Sequence, residues 1–190
     1  MSENAPRSSA SLWLILLLCV APVAASYYVY FFAAPRAHVN YGELIETRPL
    51  PEARLQLADG SEFTTERLRG KWVLLMADAG ACGAECRDKL FVLRQLRLTQ
   101  GRDMTRIERV WLITDGALPA PDVVAPYAGT WQVRAAGSEL LKALPATGTP
   151  ADHLYVVDPL GNLVLRYPRD ADPSRIIKDL ARLLKTSGIG

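Results

Sequence analysis

A long stretch without any charged residue is the feature that most restricts how this chain can fold. No Asp, Glu, Lys or Arg occurs between Arg7 and Arg36, and residues 11–34 are almost entirely apolar. Roughly 20 helical residues span the hydrocarbon core of a bilayer, where a single segment must satisfy its own backbone hydrogen bonds as a helix. Trp13 lies near the start and three tyrosines near the end, as at membrane interfaces. The sequence therefore predicts a single membrane-spanning helix.

A cleaved signal peptide is the alternative interpretation of this stretch. Val23, Ala24 and Ala25 resemble a small-residue cleavage site. However, the basic region before the stretch consists only of Arg7, and apolar residues continue well beyond the site, which favours an uncleaved anchor. The flanking charges do not set the orientation, because arginines stand on both sides of the span.

The chain divides into four segments. We predict a tail over residues 1–10, a transmembrane anchor over residues 11–34, a linker over residues 35–52 and a folded domain over residues 53–190. Prolines interrupt the linker, and its periodicity is poor. The net charge of +2 gives no strong field, so we expect no nucleic-acid partner.

The hydrophobic pattern of the domain predicts strands and helices in turn. Residues 72–77 form a continuous apolar run, typical of a buried central strand, and helical spacing follows over residues 84–99. The other predicted elements are a hairpin at 55–63, a buried strand at 109–114, an irregular stretch at 117–130, a short helix at 138–144, a hairpin at 154–167 and a closing helix after Asp172 and Pro173. This order predicts an α/β domain with a thioredoxin-like mixed sheet flanked by helices.

Two cysteines four residues apart lie where the first buried strand gives way to a helix. If the helix begins near residues 81–83, the thiols of Cys82 and Cys86 share one helix face, with Cα atoms about 6 Å apart. That distance suits a disulfide or one shared metal ion. A helix N-terminus stabilises a thiolate, and Arg87 and Lys89 add positive charge. The pair therefore predicts a redox or soft-metal site.

Copper is the metal that such a pair would select, because thiolates are soft ligands that favour Cu(I). Two thiolates leave room for a third donor, for which imidazole is the natural choice. Of the two histidines, His38 lies in the predicted linker, whereas His153 opens a predicted strand. In a thioredoxin-like sheet the loop before that strand lies beside the first turn of the cysteine helix. His153 can therefore approach Cys82 and Cys86, whereas His38 could do so only if the linker folds back.

Four motifs together resemble the Sco/SenC family of membrane-anchored copper proteins, which help to assemble cytochrome c oxidase. They are the N-terminal span, residues 70–75 leading to the C-x-x-x-C motif, the Ile-Thr-Asp of residues 113–115, and the Asp-His of residues 152–153 followed by residues 155–161. The resemblance covers most of residues 35–190.

The resemblance implies a fold, a ligand set, partners and a location. It implies a thioredoxin-like domain that binds Cu(I) or Cu(II) through Cys82, Cys86 and His153. It implies copper delivery to, or thiol reduction at, a cytochrome c oxidase subunit or another copper or thiol protein. It also implies a single-pass protein of the inner membrane with its soluble domain in the periplasm.

A membrane-tethered thiol-disulfide oxidoreductase is the alternative function. In that case Cys82 attacks, Cys86 resolves, and His153 is incidental. The wide cysteine spacing and the Asp-His pair favour copper. In contrast, Thr149-Pro150 resembles the cis-proline dipeptide of ordinary thioredoxins and favours the oxidoreductase.

Overall fold

The N-terminal apolar stretch forms helix α1, Ser9–Tyr28. Its window Ser11–Tyr28 has a mean hydropathy of 1.8, so the helix is long and apolar enough to cross a membrane. The computed structural model describes residues 9–29, 31 and 40–188. The predicted N-terminal apolar helix is confirmed, whereas most of the predicted tail, part of the predicted anchor and His38 lie outside the described residues.

The chain divides into two compact units, Met1–Val39 and Asn40–Gly190. The second unit contains one mixed sheet of eight strands. They are β1 (Glu43–Pro49), β2 (Arg54–Leu57), β3 (Glu62–Thr64), β4 (Trp72–Asp78), β5 (Ile107–Ile113), β6 (Thr130–Arg134), β7 (His153–Val157) and β8 (Asn162–Pro168). Their spatial order is β1-β8-β7-β4-β5-β6-β2-β3. Strands β4, β5 and β6 are parallel, and the remaining neighbours pair antiparallel.

The described residues of this unit form four α-helices: α2 (Ala84–Leu98), α3 (Pro121–Val124), α4 (Glu139–Lys142) and α5 (Pro173–Thr186). The start of α5 follows the predicted signals, because the side chain of Asp172 accepts a hydrogen bond from the backbone N–H of Ser174 at 2.9 Å and Pro173 is the first helical residue. The α/β fold class predicted from the sequence, with a thioredoxin-like mixed sheet and flanking helices, is confirmed.

The sheet separates two hydrophobic cores. Side chains alternate along each strand, so Leu74 and Met76 of β4 lie on one face and Val73 and Leu75 on the other. The first face packs against α2 and α5, and we call its cluster the α2 core. The second face holds the cluster around Tyr155, which we call the Tyr155 core. Each functional side chain can therefore be assigned to a face.

Two strands were not predicted. Strand β1 lies inside the segment predicted as a linker. Its sequence pattern is weak because its side chains are mostly exposed, and it is ordered by pairing with β8 at the sheet edge. Two preceding backbone N–H groups, of Tyr41 and Gly42, donate to the buried carboxylate of Asp179 on α5. Strand β6 follows the predicted irregular stretch and pairs in parallel with β5. The predicted boundaries of the four segments remain a prediction.

Candidate functional site

A disulfide joins Cys82 to Cys86 where β4 passes into α2. The two Cα atoms are 5.1 Å apart, shorter than the 6 Å expected for a helical i, i+4 pair. Both residues are buried in the α2 core, with exposed fractions of 1% and 2%. The predicted pair of adjacent thiols therefore exists as a closed and shielded bond.

The helix begins where its periodicity predicts, at residue 84, and not at residues 81–83 as a shared helix face for the two cysteines would require. Ala84 is its first residue, and Gly83 is an extended N-cap. Cys82 has φ of +40°, the one positive value among the non-glycine residues described. The two cysteines therefore do not share a helix face: Cys82 lies in the turn before the helix, and Cys86 lies in its first turn. The helix N-terminus, with its unpaired N–H groups, lies between them.

The turn before the helix is fixed by a contact with the loop after β5. One carboxylate oxygen of Asp115 accepts hydrogen bonds from the backbone N–H groups of Gly80 at 2.9 Å and Ala117 at 3.2 Å. A Cβ at Gly80 would lie 2.0 Å from the carbonyl oxygen of Ala117, so no other residue fits there without moving one of the loops. Asp115 is thus a positioning residue for the turn that carries Cys82.

A buried ion pair lies next to Cys86. Lys89, one turn further along α2, is only 3% exposed, and its Nζ lies 2.6 Å from Oδ2 of Asp78 at the end of β4. The same ammonium donates to the carbonyl oxygens of Ala77 at 3.1 Å and Ala151 at 2.6 Å. All three of its protons therefore have acceptors, as a buried ammonium requires. The sequence pointed to Lys89 but not to Asp78, which could have been recognised as a carboxylate at the end of an apolar strand.

An open groove of about 330 Å³ adjoins the disulfide on the side of Cys86. Its walls are Asp78, Gly83, Ala84, Glu85, Cys86, Lys89, Ala151 and Arg169. Arg169, which the sequence did not single out, forms ion pairs with Glu85 and, at 3.6 Å, with Asp152. Asp152 also accepts hydrogen bonds from the backbone N–H and the hydroxyl of Thr149, and these bonds lower the pKa of its carboxyl.

His153 lies on the opposite face of the sheet from the cysteines. It is the first residue of β7, in which Leu154 and Val156 belong to the α2 core and Tyr155 belongs to the Tyr155 core. By alternation, the side chain of His153 shares the face of Tyr155, and the two ring centroids lie 6.0 Å apart. The structure therefore brings Cys82 and Cys86 together but does not bring His153 to them.

The imidazole of His153 is already engaged on its own face. The backbone N–H of Thr147 donates to Nε2 at 3.2 Å, and the carbonyl oxygen of Thr147 lies 3.3 Å from the same atom. The residue is 6% exposed, and Nδ1 has no hydrogen-bond partner in the described part of the chain. Within residues 9–29, 31 and 40–188, no three His, Cys, Asp or Glu side chains cluster in a way that could hold a metal ion.

The segment before His153 also departs from the predicted resemblance. No peptide bond between the described residues is cis, and Pro150 begins a short 3₁₀ turn over Pro150–Asp152. The dipeptide Thr149-Pro150 therefore does not form the cis-proline element that it resembles. The turn instead presents the carbonyl oxygen of Ala151 to Lys89.

Comparisons with known proteins agree with this architecture. The family model described as "Transmembrane-like, thioredoxin-like, C-terminal domain" matches residues 72–187. A comparison with curated proteins returns no match.

Solved structures with a similar fold include copper proteins and disulfide proteins. Yeast Sco1 with copper bound has a TM-score of 0.60 at 20% identity, over 74% of this chain and 96% of that chain. BsSco, described as a member of the Sco family of cytochrome c oxidase assembly proteins with a disulfide switch, has a TM-score of 0.53 at 15% identity, over 74% and 93%. The protein dsbF of MTB, in mixed oxidized and reduced forms, has a TM-score of 0.51 at 21% identity, over 70% and 93%. The predicted resemblance to Sco proteins is confirmed at the level of the fold.

Proposed function

Because this chain belongs to the family of transmembrane-like, thioredoxin-like C-terminal domains, we propose that it is a membrane-tethered thiol-disulfide oxidoreductase. Cys82 and Cys86 are its redox couple. Its partner is a thiol-bearing protein that takes part in assembling the copper site of cytochrome c oxidase. The disulfide between the two cysteines, at the start of α2, is the observation that carries this proposal.

The surroundings of the disulfide support a reactive couple. Helix N-termini stabilise thiolates, and a thiolate of lowered pKa is the better leaving group in exchange. The turn that carries Cys82 is held by Asp115, so the two sulfurs return to the same geometry when the bond reforms. The groove beside Cys86 supports access for a partner.

The exchange transfers two electrons. Two thiols of a partner become a disulfide while the bond between Cys82 and Cys86 becomes two thiols, and the protons pass from one pair of sulfurs to the other. The reverse reaction reduces a partner disulfide. The direction follows from the two reduction potentials, with a tenfold change in the equilibrium constant for about 30 mV.

Copper(I) binding by the reduced couple is the second candidate function, with copper as cargo. Two adjacent thiolates suit Cu(I), and the similarity to yeast Sco1 with copper bound favours it. Ligation by His153 stays a prediction. The side-chain direction does not favour it, because turning His153 to the cysteine face would require a one-residue change in the register of β7.

Location and partners follow from the anchor and from the resemblance. Helix α1 fits a single-span anchor. We propose that the anchor lies in the inner membrane and that the domain faces the periplasm, where disulfides persist. The similarity to BsSco, a cytochrome c oxidase assembly protein of the Sco family, supports a partner among the proteins of that assembly.

The test uses the full chain in detergent micelles with Cys19, a free cysteine, replaced by serine. The protein is equilibrated with dithiothreitol redox buffers, and thiols are counted by maleimide labelling. We expect a reversible two-electron transition that disappears in Cys82→Ser and in Cys86→Ser. A bond that no dithiothreitol buffer opens while the domain stays folded would contradict the redox function.

A parallel anaerobic titration with Cu(I) against a chromogenic chelator tests the second candidate. One equivalent held tightly by the reduced chain and lost in either cysteine variant supports copper as cargo. Failure to compete with the chelator excludes it and leaves the redox couple as the function.

A further inference from the structure

The groove beside α2 reaches only one of the two sulfur-bearing residues. Cys86 forms part of its wall, whereas Cys82 does not. Because both residues are buried, an attacking thiolate can reach a sulfur only through an opening in the surface. We propose that Cys86 is the sulfur through which the couple exchanges with a partner, and that the partner reaches it along this groove. This assignment rests on the proposed redox function and reverses the roles expected from the sequence.

The shape of the site favours attack at Cys86. A thiolate displaces a disulfide along the line of the sulfur-sulfur bond, so it must approach the attacked sulfur from the side away from the leaving sulfur. The groove continues from Cys86 to Lys89, one helical turn further along α2. Cys82 lies before the helix begins and does not line this groove. Access is one of the factors that set the rate of thiol-disulfide exchange at each sulfur.

A second groove extends the first along the same helix. It has a volume of about 140 Å³ and shares Glu85, Lys89 and Arg169 with the first groove. Its other walls are Asp88, Val92, Leu154 and Ala171. Together the two grooves offer an elongated path between α2 and the start of α5, which fits an extended peptide segment that carries a cysteine.

The charges around the groove do not determine which of the two sulfurs is attacked. The first groove has two cations, Lys89 and Arg169, and two carboxylates, Asp78 and Glu85. Lys89 pairs with Asp78, and Arg169 pairs with Glu85 and with Asp152 nearby. The wall is therefore close to neutral as a whole. The path to Cys86 carries the assignment.

The leaving group fits the same assignment. When a thiolate attacks Cys86, the bond to Cys82 breaks and its electron pair stays on the sulfur of Cys82. That sulfur belongs to the residue just before the N-cap Gly83, where the unpaired N–H groups of the first turn stabilise negative charge. A stabilised thiolate leaves faster.

The complete exchange balances in two displacements. The partner thiolate first forms a mixed disulfide with Cys86 and releases Cys82 as a thiolate. A second partner thiolate then displaces Cys86, which leaves an oxidised partner and a reduced couple. In the reverse direction, reduced Cys86 attacks a partner disulfide, and Cys82 resolves the mixed disulfide by attacking Cys86.

Direct mapping of the attacked sulfur tests the proposal. The oxidised full chain with Cys19→Ser, in detergent micelles, is exposed briefly to glutathione, quenched with acid and blocked with N-ethylmaleimide. A protease that cleaves after Glu85 separates Cys82 from Cys86, so mass spectrometry assigns each label. We expect glutathione on Cys86 in roughly tenfold excess over Cys82, because access governs the rate.

Each outcome of this mapping is decisive. Glutathione mainly on Cys82, or equally on both, overturns the assignment but leaves the redox function in place. If neither glutathione nor dithiothreitol opens the bond, the redox function itself fails. Single-cysteine chains, Cys82→Ser and Cys86→Ser, check for migration of the label: reaction of the reduced forms with oxidised glutathione should be faster for the chain that keeps Cys86.

A matched pair of groove variants tests the path. Ala84 and Ala81 are both exposed, but only Ala84 lines the groove. Ala84→Trp should slow exchange with glutathione about tenfold by obstructing access, and Ala81→Trp should leave the rate within about twofold. Greater slowing by Ala81→Trp overturns the proposed path, as does an unchanged rate in Ala84→Trp.

Discussion

The two faces of the sheet place the cysteine pair and His153 in different surroundings. On the α2 face, the disulfide adjoins an open groove and a buried ion pair. On the Tyr155 face, the ring of His153 is enclosed, engaged by Thr147 and packed beside an aromatic ring. The first face places a buried disulfide beside an open groove, whereas the second uses an ionisable ring as a packing element. Residue type alone therefore does not identify a ligand, because the face on which the side chain lies decides what it can reach.

Lys89 gives the largest expected effect on stability. Lys89→Met removes the ammonium that pairs with Asp78 and that caps two carbonyl oxygens. Breaking a buried ion pair from one side costs about 3 kcal/mol, the low end of the range because Asp78 is one fifth exposed. Urea unfolding followed by tryptophan fluorescence measures the change.

Lys142 provides the control for Lys89. Its pair with Glu139 is exposed on both sides, so Lys142→Met should cost less than about 1 kcal/mol. Equal losses in the two variants would mean that the α2 face does not depend on its buried charge.

Gly80 gives the next largest effect. A methyl group at this position meets the carbonyl oxygen of Ala117 at 2.0 Å, so Gly80→Ala must push apart the loops that place Cys82. Overpacking of this kind costs about 2 kcal/mol, and we expect the reduction potential of the couple to shift as well. Gly116→Ala is the control, because its Cβ would meet no neighbour. A fully stable Gly80→Ala chain with an unchanged potential would show that the turn tolerates displacement.

The elements around the site were predictable where the signals are local. The apolar run of β4, the periodicity of α2 and the capping residues of α5 each lie within one segment, and each was predicted. Strand β1 was missed because it is an edge strand whose order comes from β8. The position of Cys82 outside α2 was not predicted, because contacts with Asp115 and Ala117, more than thirty residues away, set the turn at Cys82.

The face on which His153 lies is also set by contacts between residues far apart in the sequence. Its position at the start of β7 was predicted, but a strand has two faces, and a shift of one residue exchanges them. Only the pairing of β7 with β4 and β8 fixes that register. The sequence therefore predicted the site's cysteines and could not decide whether the histidine joins them.

His153 itself gives a smaller effect and tests the contrast between the faces directly. His153→Ala removes the acceptor for the backbone N–H of Thr147, which costs about 1 kcal/mol. Because the ring lies on the far face, we expect the rate of glutathione exchange and the Cu(I) affinity of the reduced chain to be unchanged. The matched measurement is Cys86→Ser, which should abolish both. A large loss of Cu(I) affinity in the histidine variant would show that the ring does reach the thiolates, and the distinction between the faces would be broken.

The smallest expected effect concerns Asp152, at the edge of the site. Hydrogen bonds from the backbone N–H and the hydroxyl of Thr149 lower the pKa of this carboxyl. A lowered pKa in the folded state means that the carboxylate contributes stability above its unfolded pKa of about 4 and loses it as the pH falls through the folded value. Asp152→Asn should therefore reduce the loss of stability between pH 5 and pH 3, measured as the shift of the urea midpoint. Asp59 is the control, because hydrogen bonds from Ser61 lower its pKa in the same way in the β2–β3 turn, away from the cysteines. If the two turns act independently, the changes in Asp59→Asn and Asp152→Asn should add in the double variant.

If Asp152→Asn alters the exchange rate at pH 7 and Asp59→Asn does not, the turn that holds Ala151 against Lys89 takes part in shaping the groove.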